Sequence, residues 1–126
     1  MSSQQKDHPP LDADTIRAYV VDACGGDGEI VSQMVIFFLG STDDLIAQMK
    51  TGVEGNDFDS ARRAAHSLKS SSRMFSAEAL SILCAEAETV AETGKAEAFL
   101  SLLPAIEREV EWLKAYLPQF CAEIVA

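Results

Sequence analysis

The chain has 126 residues, 48% hydrophobic and 24% charged, which suits one globular domain with a core of its own and excludes a disordered chain. Twenty acidic residues against ten basic ones give a formal charge of −10, and a field of that sign disfavours a nucleic-acid partner. Cys24, Cys84 and Cys121 are too widely spaced for a disulfide framework or a Cys-x-x-Cys metal site; they read as buried free thiols in the cytoplasm.

Met1 to Pro10 is polar and ends in two prolines, so residues 1–10 read as a flexible arm rather than a secretory signal, and residues 11–126 as the folded domain. The longest apolar run, Met34 to Leu39, is too short to span a bilayer, so no membrane partner is expected. The periodicity beyond the arm is helical, without an alternating strand pattern. Asp12 or Asp14 is expected to cap a first helix with Ile16, Tyr19, Val20 and Ala23 on one side, ended by Gly25-Gly26 and Gly28. A long second helix follows, its stripe formed by Ile30, Met34, Phe37, Phe38, Ser41, Leu45 and Met49. Gly40 weakens it by about 1 kcal/mol relative to Ala, but no second breaker accompanies it.

Gly52 to Asp57 is expected to turn, with Asn56 or Asp57 capping a third helix that ends near Phe75. Ser76 is a candidate cap for a fourth, whose apolar face is Leu80, Leu83, Cys84, Ala87, Val90 and Ala91 and whose stop is Thr93-Gly94. The last stretch carries Phe99, Leu102, Leu103, Ile106, Val110, Leu113, Leu117 and Phe120. Within it Pro104 predicts a kink or a fresh helix start, and Pro118 a disturbed chain end. Amphipathic helices on short connections pack against one another. The expected fold is all-α: an up-and-down antiparallel four-helix bundle with a short additional N-terminal helix.

Chemistry concentrates in Asp59 to Ala77, DSARRAAHSLKSSSRMFSA. At about 100° per residue Ala61, Ala65, Leu68, Ser72 and Phe75 share the inward side, and His66 lies roughly 160° from Leu68. By the same rotation Arg62, Arg63, Lys69, Ser70 and Arg73 all fall within about 60° of His66. No acidic residue occurs between Asp59 and Glu78, a local reversal in an acidic chain. A neutral imidazole is a competent nucleophile, and surrounding cations stabilise an attached phosphoryl group. An inert surface histidine in a solvated basic face has the same pattern, so spacing alone leaves both readings open.

His66-Ser67-Leu68-Lys69-Ser70-Ser71-Ser72, followed by Met74-Phe75-Ser76-Ala77, resembles the motif of the histidine-containing phosphotransfer (HPt) family: His, any residue, Leu, Lys, Gly, then small residues and an apolar-Gly-Ala turn. The likeness extends to Asn56-Asp57-Phe58, Leu80-Ser81-Ile82-Leu83-Cys84 and the long second helix, over most of residues 11–117. It implies that His66 accepts a phosphoryl group and that Lys69 assists, while the rotation above makes Arg62, Arg63, Ser70 and Arg73 candidates for the electrostatics around it. Implied partners are receiver domains and a hybrid sensor histidine kinase, with Mg2+ in the receiver, no cofactor or metal of the chain's own, and a monomeric carrier rather than a kinase. Two family glycines are replaced, by Ser70 and Ser76.

By the same resemblance receivers dock beside the histidine, and apolar residues off the second helix's stripe, Val31, Val35, Ile36 and Leu39, include a candidate docking patch in Ile36 and Leu39. A wide buried stripe is the competing explanation. A sensor-kinase dimerisation helix is excluded by Ser67 where an acidic residue is expected, by the absence of a proline between His66 and Pro104, and by the lack of a phosphate-cradling glycine loop. A carboxylate-bridged metal enzyme needs Glu-x-x-His pairs, but Gln5 and Arg63 stand three residues before His8 and His66. The remaining alternative is a module of the same fold that binds receivers or kinases without being phosphorylated.

Overall fold

The computed structural model describes residues 10–125, so all of the expected arm except the exposed Pro10 lies outside the described residues. The described residues form helices joined by short turns, with no strand among them. An α-helical turn at Ala13–Ile16, a π-helical stretch at Arg17–Val21 and a 3-10 turn at Asp22–Cys24 together make α1. Four long helices follow: α2 (Gly28–Glu54), α3 (Phe58–Met74), α4 (Glu78–Glu92) and α5 (Ala96–Val125). They pack in a ring, α2 on α3, α3 on α4, α4 on α5 and α5 back on α2, with α1 against α2 and α5. Met49, Leu68, Leu80, Phe99, Ile106 and Leu113 meet in the core, essentially without exposure.

Asp12 caps α1, accepting the Asp14 N–H at 3.1 Å and the Thr15 hydroxyl at 2.7 Å. The π-helical stretch bonds residue i to i+5 and so shifts the register by one position. Ile16, Val20 and Val21 are buried, whereas Tyr19 and Ala23 face outward, against the expected side. Gly25 and Gly26 end α1 at φ of 64° and 77°. Gly28 is not part of that break: Asp27 caps α2 ahead of it, accepting the Glu29 and Ile30 N–H groups.

Helix α2 passes through Gly40 unbroken. It buries Val31, Val35, Phe38, Thr42, Ile46, Met49 and Val53, leaving Ile30 and Phe37 exposed, so the expected stripe is rotated. Between Ile30 and Leu39 only Ser32 and Gln33 are polar; periodicity cannot select a face there, and contact with both α3 and α5 selects it instead. By length and composition α2 could cross a membrane, but its inner face is occupied by those two neighbours.

The α2–α3 turn starts later than expected, because α2 continues to Glu54. Gly52 is buried where a Cβ would meet Ala61 N and Asp57 O at 3.0 Å. Asn56 takes a left-handed φ of 58°, and Asp57 caps α3 by accepting the Ser60 N–H at 3.1 Å. Ser76 does not cap α4. It sits at φ 55° just past α3, while the Ala77 N–H returns to the Ser72 carbonyl at 2.8 Å, a left-handed helix stop. Its Oγ accepts the Asp12 N–H at 2.7 Å, tying α1 to this turn.

The apolar face of α4 is as expected, with Leu80, Cys84, Ala87 and Ala91 buried and Gly94 at φ 66° after its end. Helix α5 contains both Pro104 and Pro118 without a fresh start. Each proline is on the exposed side, so the carbonyl it leaves unbonded one turn earlier is open to water, and buried residues on the other side hold the helix together. Lys114 bonds both Asp43 oxygens at 2.9 Å, and Lys50 pairs with Glu107 at 3.2 Å, tying α5 to α2. Exposed pairs like these add about 0–1 kcal/mol each.

Candidate functional site

Ala61, Ala64, Ala65, Leu68 and Ser72 form the inner side of α3, their small side chains admitting close neighbours. The buried Ser72 hydroxyl is satisfied by the Leu68 carbonyl at 2.6 Å. His66 projects the other way, and its side chain is 57% exposed. The ring is nevertheless anchored: Nδ1 lies 2.9 Å from Oε2 of Glu88 on α4. The other Glu88 oxygen, Oε1, is ion-paired with Lys69 Nζ. Glu88 and Lys69 are only 13% and 18% exposed, so the pair lies in a partly dried seam between α3 and α4. Burial pushes the Glu88 carboxyl up, but hydrogen bonds from Lys69 and His66 outweigh it and hold the group below its ordinary 4.5.

Glu88 is absent from the site drawn from sequence, although a signal for it exists. It stands four residues after Cys84, hence only about 40° from that core position around α4. Glu86 falls on the outer side and is exposed. Burial, with the Glu88 carboxylate nearby, pushes the Cys84 thiol up to about 12, and burial pushes Cys121 to about 11. Both are protonated and unreactive at neutral pH. Cys24 is half-buried, its Sγ 3.0 Å from Met34 Sδ.

Lys69 joins His66 in one cluster, but the arginines of the expected ring turn elsewhere. Asp59 stands three and four residues before Arg62 and Arg63, the spacing of same-face neighbours, and takes them at 3.0 and 3.2 Å. The Arg62 hydrogen bond, aided by both charges, holds the Asp59 carboxyl below its usual 3.8. Arg73 borders a polar cleft with Asp12, Thr15, Ser76 and Glu78 at the α1 end. Ser70 is exposed on the His66 face. The positive ring is therefore looser than its spacing suggests, and one cation, Lys69, shares a partner with the imidazole.

Beside this cluster is an apolar groove of about 340 Å³ between α2 and α3, lined by Ile30, Met34, Phe37, Ser41, Ser71 and Met74 among others. Met74 is about 80° and Ser71 about 140° round α3 from His66, so the groove flanks the histidine on the side away from Glu88. Phe37 stands at its edge, 78% exposed. Ile36, 69% exposed, lines a different groove with Pro118, Cys121 and Val125 of α5, and Leu39 is half-buried against the core.

The family model of the Hpt domain matches residues 33–116, two thirds of the chain, including His66, Lys69 and Glu88. The chain belongs to the Hpt domain family. Hpt domains serve phosphotransfer in two-component signalling as phosphocarriers rather than kinases, and they interact with receiver domains and kinases. No curated protein matches the chain. Among solved structures it is similar to the crystal structure of a rice protein described as a candidate histidine-containing phosphotransfer protein, with a TM-score of 0.74 and 20% identity over 98% of this chain and 86% of that one. At that identity the likeness concerns the fold. The Hpt motif's glycine before the closing alanine corresponds to Ser76, whose left-handed φ accounts for a glycine preference there.

Proposed function

We propose that this Hpt domain is a relay intermediate, with His66 accepting a phosphoryl group from the aspartate of one receiver domain and passing it to another. A hybrid sensor histidine kinase stands upstream. The observation that supports this reading is the combination at His66: an imidazole more than half open to solvent, yet oriented by a hydrogen bond to a largely buried carboxylate. An oriented nucleophile meets the phosphorus with less entropy to lose than a free one.

Lys69, one turn after His66 and sharing Glu88 with it, is the cation placed to assist at the phosphoryl oxygens. Arg62, Arg63 and Arg73 act at longer range, through the local field they present to an acidic partner. The Phe37 groove offers the receiver an apolar seat, with Ser70 at its approach. Mg2+ and the acidic residue that exchanges the phosphoryl group belong to the receiver. The working unit is a monomer in the cytoplasm, built as an up-and-down antiparallel four-helix bundle with α1 as its additional helix.

Incubating the protein with a receiver carrying labelled phosphate, then adding a second, unlabelled receiver, tests the relay. Label is expected to move onto this chain and then off it, and His66→Gln is expected to block both steps. Label that never leaves the first receiver, while the two proteins still bind, contradicts the relay and supports a docking module without phosphorylation. That second reading draws on Ser70, whose side chain occupies the glycine position of the family motif on the exposed face.

A further inference from the structure

Three serines follow Lys69, and their hydroxyls are not equivalent. Ser71 Oγ donates to the Ser67 carbonyl at 3.1 Å and Ser72 Oγ to the Leu68 carbonyl at 2.6 Å, each one turn back. Ser70 has the His66 carbonyl at the same offset, yet its exposed hydroxyl makes no hydrogen bond among the described residues. Rotation about α3 puts Ser70 about 40° from His66 toward the groove, and Lys69 about 60° away toward α4. Residues four apart on a helix lie about 5–6 Å from Cβ to Cβ, so Ser70 is a direct neighbour of the imidazole. Nearby cations are already engaged, Lys69 with Glu88 and both Arg62 and Arg63 with Asp59. Ser70 keeps an uncommitted donor next to the ring.

We propose that the Ser70 hydroxyl donates a hydrogen bond to a phosphoryl oxygen on His66, from the side opposite Lys69, and so raises the share of phosphate this carrier holds against its receivers; this deepens the reading of His66 as the acceptor and rests on it. A phosphoryl group brings three strong acceptor oxygens, and a hydrogen bond to a charged acceptor is stronger than one between neutral groups. In the exchange the aspartyl P–O bond breaks, its electron pair stays on the aspartate, and an N–P bond forms on His66. Ser70 keeps its own proton throughout. Crowding of the receiver by the same side chain has a different signature. The equilibrium between separated proteins depends only on how each is stabilised with and without phosphate. Contacts made only during docking change the forward and reverse rates together. A hydroxyl that merely obstructs therefore slows both directions, whereas one that holds phosphoryl oxygens moves the equilibrium.

Mixing the protein with a receiver carrying labelled phosphate and Mg2+, and following the partition of label from both directions, gives the equilibrium constant. Ser70→Ala and Ser70→Gly are each expected to shift it toward the receiver by about 3- to 10-fold, the worth of one solvent-exposed hydrogen bond to a charged oxygen. Ser70→Thr keeps the hydroxyl, and its equilibrium is expected to stay near that of the parent even where its rates fall. The 31P signal of the phosphohistidine is expected to move in the alanine and glycine variants and to stay in place in the threonine one. An equilibrium constant that is the same in the parent and Ser70→Ala, with only the rates changed, assigns Ser70 to crowding and overturns the proposal. A parent protein that never gains label overturns the acceptor reading of His66, and this one with it.

Discussion

Ser76 combines two opposing effects in one side chain. Its backbone is left-handed at φ 55°, and its Oγ accepts the Asp12 N–H across 64 residues of sequence. Ser76→Ala keeps the backbone strain and removes the acceptor, so we expect a loss of about 0.5–1.5 kcal/mol. Ser76→Gly loses the same hydrogen bond but relieves strain worth roughly 1 kcal/mol, and its stability should stay near that of the parent. Thermal unfolding of the two variants provides the check: an alanine variant as stable as the glycine one contradicts this account of the turn. The sequence marks position 76 as special through the family glycine it lacks, but a capping serine and a left-handed serine look alike in sequence. The distant Asp12 partner distinguishes them. Glu88 and Glu86 pose a similar choice, which rotation around α4 decides, while the partner across the seam is a property of packing.

Helix α3 faces different neighbours on its two sides, and each side has its own test. Toward α2, Phe37 is exposed at the edge of the groove beside His66, whereas Ile36 belongs to the groove against α5. Phe37→Ala should weaken receiver binding by about tenfold or more, as truncating an aromatic anchor does, with little change in thermal stability. Ile36→Ala should leave binding nearly unchanged. Titration calorimetry compares the pair, and equal losses in both would contradict the assignment of docking to this groove. Toward α4, the Glu88 carboxyl is held below its ordinary 4.5 in the folded protein. A depressed carboxyl stabilises the fold fully above its unfolded pKa and loses that contribution as pH falls through the folded value. Stability measured from about pH 6 to about pH 3 should therefore fall less steeply in Glu88→Gln than in the parent, and parallel curves would argue against the seam. The elements themselves were largely legible: alternation of turn residues and apolar stripes places α3, α4 and most of α5. The α2 face was not, because Ile30 to Leu39 is nearly all apolar and burial there depends on two neighbours. Nor was the continuity of α5, since a proline's cost depends on whether the carbonyl it frees meets water.

Across the whole molecule a net charge of −10 surrounds a helix whose outer face is locally basic. That contrast was visible in the sequence and is only partly kept in three dimensions, because Asp59 draws Arg62 and Arg63 and Glu88 draws Lys69. What the ring of helices adds is the placing of α4 beside α3, so that one acid can hold both the imidazole and the lysine. The family match and the helical ring agree on a phosphocarrier domain, and the proposed acceptor within it is His66. The decisive measurement is the identity of the phosphorylated residue after exposure to a phosphorylated receiver and Mg2+. The account predicts a single acid-labile, alkali-stable phosphate, located at His66 by 31P NMR and peptide mass spectrometry and missing from His66→Gln. An acid-stable phosphate on a serine, or an acid-labile one that persists in His66→Gln, would contradict it.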